Sequence, residues 1–333
     1  MQQARSKEIA SPRAARRSRW LTRDRLTALL MISPSVIAVA VFVYGFIAWS
    51  GYVSLTRWSG IAPDYTFVGL QNYIDLFNTR RFLADIRNTI VFTTLFLAFC
   101  LVLGLGAALL VDSRPVGEPI FRSIYLFPMA LSFIVTGVAW SWLFNPGNFP
   151  TDPTGINLLF HNLGLDFLQR AWTTDKGFFP DWYPEWSKIN LGIPLAMIPV
   201  VIAATWQMSG FTMAMYLAGL RSIPDEIREA ARVDGANEWQ VFRDVTLPML
   251  RPITLSAVII LGHISLKIFD LIISMTGGQP GNNTDVPGLF MYDITFNANK
   301  IAQGAAVATV MLLLVAVLIV PYLVNNARSE VES

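Results

Sequence analysis

Cysteine is all but missing from this chain: Cys100 is the only one among 333 residues, and it lies inside an apolar run. A disulfide framework or a thiolate metal site within one chain is therefore excluded. Histidine is nearly as scarce, with only His161 and His263, so a histidine-rich metal site is excluded too. Charge is thin at 14% of residues against 53% hydrophobic, too apolar a balance for an average soluble domain. Chemistry-bearing motifs are missing as well. There is no G-x-x-x-x-G-K-[ST] phosphate loop, no HExxH, no GxSxG with a histidine to serve it and no dinucleotide fingerprint. Enzymatic function has nothing to rest on, and no catalytic, cofactor-binding or metal-ligating residue is assigned. No repeat with a period of about 20–50 residues is present, which argues against a solenoid.

The positive charge that is present is concentrated. Arg5, Lys7, Arg13, Arg16, Arg17, Arg19, Arg23 and Arg25 all precede the first apolar stretch. That head and the run after it are too long for a cleaved signal peptide. Residues 1–25 read as a cytoplasmic segment on an anionic membrane surface rather than a nucleic-acid arm, because the arginines adjoin a membrane segment.

Six stretches are long enough to cross a hydrocarbon core, which takes roughly 20 apolar residues. They lie near Leu26–Leu55, Asn88–Val111, Phe121–Phe144, Ile193–Leu217, Ile253–Ile273 and Gln303–Val324. The predicted fold is all-α, a polytopic membrane protein with six transmembrane helices. With the N-terminus inside, cytoplasmic segments carry sixteen Lys/Arg and external ones eight, so the positive-inside rule puts both termini in the cytoplasm. In the third span, Pro128 predicts a kink whose freed carbonyl a neighbouring helix must satisfy. In the second, Gly104 and Ala108 stand at small-xxx-small spacing, which permits close helix packing.

Between the fourth and fifth spans lies a polar stretch, residues 222–252, which the charge count places in the cytoplasm. Ser222 is expected as N-cap, with Pro224 in the first turn and Asp225 completing a capping box. Gly235 supplies the stop. Asn237 is expected to cap a second short helix running through Val245, ended by Leu247-Pro248. Ala230 and Ala231, side by side on a short exposed helix, let another protein's backbone come close. Arg228, Glu229, Arg232 and Asp234 offer hydrogen bonds at the edge of that contact.

The pattern Glu229-Ala230-Ala231, three residues, Gly235, nine residues, Val245-Thr246-Leu247-Pro248 resembles the EAA loop of permease subunits in binding-protein-dependent ABC importers; the family usually has Ile where this chain has Val245. The resemblance covers almost everything after residue 26. It implies one transmembrane domain, 26–333, in a prokaryotic inner membrane, with the loop acting as a coupling helix in a cleft of an ATPase subunit. The coupling residues so implied are Arg228, Glu229, Ala230, Ala231, Asp234, Gly235, Leu247 and Pro248. Implied partners are a second, similar permease subunit, two ATPase subunits that bind ATP and Mg, an extracytoplasmic solute-binding protein, membrane lipid and a sugar; no nucleic acid is expected.

Two further strings are similar to sugar-importer permeases. Phe67-Val68-Gly69-Leu70-Gln71-Asn72-Tyr73 matches an "FVGLxNY" run, read either as an outer rim or as an interfacial helix without ligand contact. Lys267-Ile-Phe269-Asp270-Leu271-Ile272, followed by Met275-Thr276-Gly277-Gly278-Gln279-Pro280, resembles the maltose and α-glucoside branch. In this fifth span His263, Lys267, Asp270 and Ser274 stand at i, i+4, i+7 and i+11, one face of one helix. Two readings stand: a polar stripe on the solute path, or a Lys267–Asp270 ion pair locking the helix to a neighbour. Gln207, Ser209 and Gly210 in the fourth span are further path candidates, the first two as hydroxyl partners and the glycine as room. Equally, lone polar residues bond adjacent helices. Trp140 is a sugar-stacking candidate or a plain interfacial anchor. The aromatic-rich loop 145–190 is expected over the outer mouth, against the binding protein. Rival readings are a glycerol-phosphate importer, an ion-coupled secondary transporter using Lys267, Asp270 and His263, and a membrane scaffold with no solute path.

Overall fold

The computed structural model describes the backbone of residues 23–113 and 116–332. The expected basic head, apart from Arg23–Arg25, lies outside the described residues, as does Arg114. The backbone divides into two compact units between Trp49 and Ser50. Helix α1 (Arg23–Val39) and a π-helical stretch, Ala40–Gly45, belong to the first. Helix α2 (Phe46–Val53) crosses the division.

The larger unit is built from α3 (Gln71–Asn78), α4 (Arg80–Asp112), α5 (Glu118–Leu126), α6 (Phe133–Leu143), α7 (Gly155–Asn162) and α8 (Met197–Ser222). Then follow α9 (Asp225–Val233), α10 (Glu238–Gln240), α11 (Leu247–Met249), α12 (Arg251–Leu266), α13 (Asp270–Met275), α14 (Pro287–Tyr292) and α15 (Ile301–Glu332). One exception to the all-α expectation is a two-residue ladder, β1 (Phe178–Phe179) against β2 (Ile193–Pro194).

Among the described residues, three helical stretches are long and apolar enough to cross a membrane: Thr27–Val53, α4 and α8. Two bent pairs raise that to five if each is one span; the apolar part of α15, Ile301–Val317, is shorter. Two expected spans are not single helices. Phe121–Phe144 is broken at 127–132, where a short 3-10 turn precedes a bend of 100°. Pro128 thus does more than kink the helix: with Leu131 and Ser132 extended, the chain restarts on a Ser132 cap whose Oγ accepts from Val135 N. Ile253–Ile273 is broken at Lys267–Phe269.

The centre is α4 against α8. A Cβ on Gly104 would lie 2.6 Å from Thr212 Cβ, so only glycine lets the two backbones come this close. Phe92, Phe96 and Cys100 of α4 are fully buried with Ala203 and Ala204 of α8, Leu261 of α12 and Leu271 of α13. At 33 residues α4 is longer than a bilayer core of about 30 Å needs at a rise of about 1.5 Å per residue, so its polar first turns project beyond the apolar part.

The FVGLxNY string has a structural job. Asn72 is buried and its amide donates to the carbonyls of Ser54 and Thr56, both at 2.8 Å. Tyr73 OH meets Ser54 Oγ at 2.6 Å, and Thr56 bridges Phe67.

Replacing Gly104 with Leu is expected to destabilise the protein by about 1–3 kcal/mol, since overpacking forces α4 and α8 apart. Thermal unfolding in detergent checks this; Gly106→Leu, where an added Cβ has no neighbour within 4 Å, is the matched control.

Candidate functional site: an exposed elbow and a polar cavity

The 222–252 stretch forms two short helices at an angle, and its start differs from expectation. Ser222 is not the cap, because its Oγ donates back to Gly219 O at 2.7 Å and so finishes α8. Pro224 occupies the N-cap position without a side-chain cap, leaving Asp225 and Glu226 to favour the first turn by charge. The stop is as expected: Gly235 has φ +91°, a conformation in which side chains are strained. Asn237 caps α10 with a full capping box, its Oδ1 accepting from Gln240 N and Gln240 Oε1 accepting from Asn237 N. Leu247-Pro248 does not end that helix. The chain passes through a π-helical turn, Val241–Thr246, into α11, and bends by 59° before α12.

Glu229, Ala230, Asp234, Gly235 and Leu247 are exposed, while Ala231 and Pro248 are half-buried. Around them Ile227, Val233 and Trp239 also stand open. Arg228 turns the other way, against the expectation that it borders a partner. Its Nη2 donates to Leu220 O at 2.9 Å and its Nη1 lies 3.3 Å from Asp112 Oδ2, so one side chain ties α9 to the ends of α8 and α4. Arg232 grips both carboxylate oxygens of Glu238, at 2.7 and 3.2 Å, and closes the corner between α9 and α10. Arg221 pairs with Glu118 at 2.6 Å.

At the break between α12 and α13, His263, Lys267 and Asp270 line one cavity of about 200 Å³ with Phe133, Ile264, Ile268 and Phe269. The expected single helical face is absent, because Lys267 closes α12 and Phe269 (φ −131°, ψ −53°) precedes a new helix. Lys267 Nζ lies 3.4 Å from His263 Nε2, and no Lys267–Asp270 ion pair forms among the described residues. Both Lys267 and Asp270 are exposed to the cavity side of the break. Ser274 is elsewhere: its Oγ donates to Asp270 O at 2.6 Å, and a Cβ on Gly137 of α6 would overlap it at 1.9 Å.

Gln207, Ser209 and Gly210 do not line this cavity. All three are buried on α8. Gln207 Nε2 donates to Leu131 O at 2.7 Å, satisfying a carbonyl loosened by the α5–α6 break. A Cβ on Gly210 would sit 2.4 Å from Tyr125 O, so the glycine's room is taken by that same broken segment. Trp140 packs in an aromatic row, 5.6 Å from Trp206 and 5.4 Å from Phe144.

An exposed elbow braced from inside, at one end of a helical membrane bundle whose helix break borders a cavity lined by aromatic, aliphatic and charged side chains, suits a transport subunit, and comparison with known proteins decides the family. Residues 100–328 match the family described as "Binding-protein-dependent transport system inner membrane component". The chain belongs to this family. It is 40% identical over 302 residues to a protein of Pyrococcus horikoshii named a probable ABC transporter permease, covering 91% of this chain and 96% of that one. It is 34% identical over 290 residues to the xylose/arabinose import permease XacH of Haloferax volcanii, covering 86% and 84%. Among solved structures, a bacterial alginate ABC transporter in complex with alginate pentasaccharide-bound periplasmic protein has a similar chain, with TM-score 0.69 over 90% of this chain and 92% of that one at 22% identity. Family membership makes this chain a multi-pass, non-catalytic subunit of an ABC transporter in the inner membrane, and it sets aside the ion-coupled and scaffold readings.

Sequence reasoning missed the polar cluster at the opposite end of α4. Arg81, Asp85 and Asn88 are spaced i, i+4, i+7, the signal of one helical face. Arg81 pairs with Asp285 and Asp293, both at 2.5 Å, and Asn88 Nδ2 donates to the carbonyls of Asn282 and Asp285 at 2.8 Å.

Arg228→Ala is expected to cost about 1–3 kcal/mol, because the Leu220 carbonyl and the Asp112 carboxylate lose a charged donor. Arg243→Ala, on an exposed side chain of the same elbow, is expected to stay within about 0.5 kcal/mol. Unfolding midpoints of the two variants in detergent measure the difference.

Proposed function

We propose that this permease takes up a sugar, specifically an oligosaccharide such as maltose or another α-glucoside. It would work with a second, similar permease subunit, two ATPase subunits that bind ATP and Mg, and an extracytoplasmic binding protein. The observation that carries the coupling half of this reading is the elbow. Its outward side offers Glu229, Ala230 and Gly235, while its inward side is held by Arg228 to α4 and α8 at once. The sugar half is supported by the Lys267–Pro280 run, by donors and acceptors beside Phe133 and Phe269 in one cavity, and by relatives named for xylose/arabinose and alginate.

In this reading the chain has six spans within a single domain, 26–333, behind the basic segment 1–25. Both termini and the 222–252 elbow face the cytoplasm, and the 145–190 loop lies outside toward the binding protein. Glu229, Ala230, Ala231, Asp234, Gly235, Leu247 and Pro248 form the surface an ATPase grips, with Arg228 as the brace behind it. Closure of the ATPases pushes α9; because Arg228 joins α9 to both central helices, the push displaces α4 and α8 instead of bending the elbow. ATP binding thereby favours one of two helix arrangements. His263, Lys267 and Asp270 present hydrogen-bonding groups to sugar hydroxyls on the path, while Gln207, Ser209 and Gly210 shape it from behind through the α5–α6 break.

Two measurements test this. Co-expression with neighbouring transport genes should let an ATPase subunit co-purify with the chain. Glu229→Lys combined with Gly235→Pro should abolish that association or uncouple hydrolysis from uptake. Full ATP-driven uptake by the double variant would reject the coupling assignment. For the path, Lys267→Leu is expected to weaken maltose uptake by about 10–100-fold in apparent affinity, the worth of a hydrogen bond to a charged group. Uptake of glycerol phosphate in place of maltose by the wild type would identify the other solute class.

A further inference from the structure

One buried acid plays no part in the transport reading. Asp85, near the start of α4, is fully buried, and among the described residues neither of its carboxylate oxygens has a hydrogen-bond partner. The charged groups that act on it are Arg81 and Arg87 from its own helix and Asp285 from the segment before α14. Asp293 stands one step further, on the far side of Arg81.

The two guanidiniums are directed elsewhere. Arg81 donates from Nε to Asp285 Oδ2 and from Nη2 to Asp293 Oδ2, both at 2.5 Å, and stacks over Phe290. Arg87 donates from Nε and Nη2 to Asn88 Oδ1 and from Nη1 to Asn190 O, and covers the Phe178 ring. Asp285 has its oxygens occupied by Arg81 and by Val286 N at 2.9 Å. Asp85 alone is left without a donor.

An ionised carboxylate buried with no partner is among the most unfavourable arrangements a protein can hold. Two neighbouring carboxyls in a buried site cannot readily both ionise. Charge balance points the same way: Asp85, Asp285 and Asp293 face two guanidiniums, and a single proton removes the excess. We propose that Asp85 is a buried proton-binding site, protonated at neutral pH and donating to the Asp285 carboxylate, so that one shared proton latches α4 to the 276–286 segment. A metal cation is the less suitable occupant, since two guanidiniums already fill the cluster and no group of three or more His, Cys, Asp or Glu side chains able to hold a metal exists among the described residues.

The inference stands independently of the substrate. Its sign follows from linkage. In the unfolded chain Asp85 loses its proton near pH 3.9, roughly the ordinary aspartate value, whereas the folded protein retains it. Unfolding at neutral pH therefore releases a proton, and stability falls as pH rises until the folded carboxyl itself ionises.

The test uses the full-length chain, purified in detergent with the subunits that accompany it. Wild type should lose stability between about pH 6 and about pH 8, with up to about a tenfold change in the unfolding constant per pH unit from this site. Asp85→Asn, which mimics the protonated acid, should remove that component and match or exceed wild type at the alkaline end. Infrared spectra of the wild type at neutral pH should contain a protonated-carboxyl band that shifts in D2O and is missing from Asp85→Asn. Should the variant fail to fold, the wild-type band still decides. Absence of that band overturns the proposal, as does an unchanged pH slope in Asp85→Asn. A midpoint raised by sodium or calcium in wild type but not in Asp85→Asn would also overturn it, in favour of a metal ion.

Discussion

A single side-chain hydrogen bond lets the central helix pair coexist with a broken neighbour. The chain between α5 and α6 turns through 100° inside an apolar bundle, and each backbone group it frees needs a partner there. Gln207 of α8 supplies one by donating to Leu131 O, and Gly210, three residues on, removes the bulk that would keep Tyr125 O away. Leaving such a carbonyl unmet in a buried site costs about 1–3 kcal/mol. Without glutamine and glycine at those two places, the break would have to straighten or withdraw from α8.

The same logic explains the elbow. A short exposed helix has little intrinsic stability in water, so its placement depends on what holds its base. Arg228 provides the base by reaching the last turn of α8 and the end of α4 together, and the bidentate Arg232–Glu238 contact sets the angle to α10. Exposed ion pairs are individually weak. Arg228 differs because it is largely covered and adds a charged donor to the Leu220 carbonyl in the last turn of α8, which otherwise accepts only a long 3.3 Å bond from Ile223 N.

How much of this was legible depends on whether the signal was local. The apolar runs 88–111 and 193–217 located α4 and α8, since hydrocarbon forces any long apolar backbone to bond to itself, but α4 begins eight residues earlier and 193–194 is a strand. Gly235 and the Asn237 cap were readable for the same reason: each acts within a few residues. Breaks were harder. Pro128 signalled a disturbance in the third span, but the size of the bend depends on Gln207 and Gly210, some eighty residues away. Nothing local marked the end of α12 at Lys267, and a continuous helix would have put Ser274 on one face with His263, Lys267 and Asp270, whereas it packs against Gly137. Gln207 and Arg228 were picked out as polar residues in conspicuous places. Their partners, Leu131 and Asp112, lie far off in sequence, so an inward role could not be told from an outward one. The Arg81–Asp85–Asn88 face carried a readable helical period that was passed over because it preceded the apolar run.

The two broken spans are not independent faults. Phe133 begins α6 just after the first break, and Lys267, Ile268, Phe269 and Asp270 make up or adjoin the second; these residues line the same cavity. Beyond the cavity α6 and α13 stay in contact, with Gly137 admitting Ser274. Irregular backbone at membrane depth is stable only where protein covers it or where it borders a polar space. Breaking two adjacent helices at one level therefore satisfies two requirements together. It opens a space beside exposed Lys267 and Asp270, and it leaves α4 and α8 unbroken. In the proposed cycle, a rigid pair beside a broken pair would divide the labour: the intact helices would carry the displacement from Arg228, and the breaks would be the joints at which the cavity changes shape.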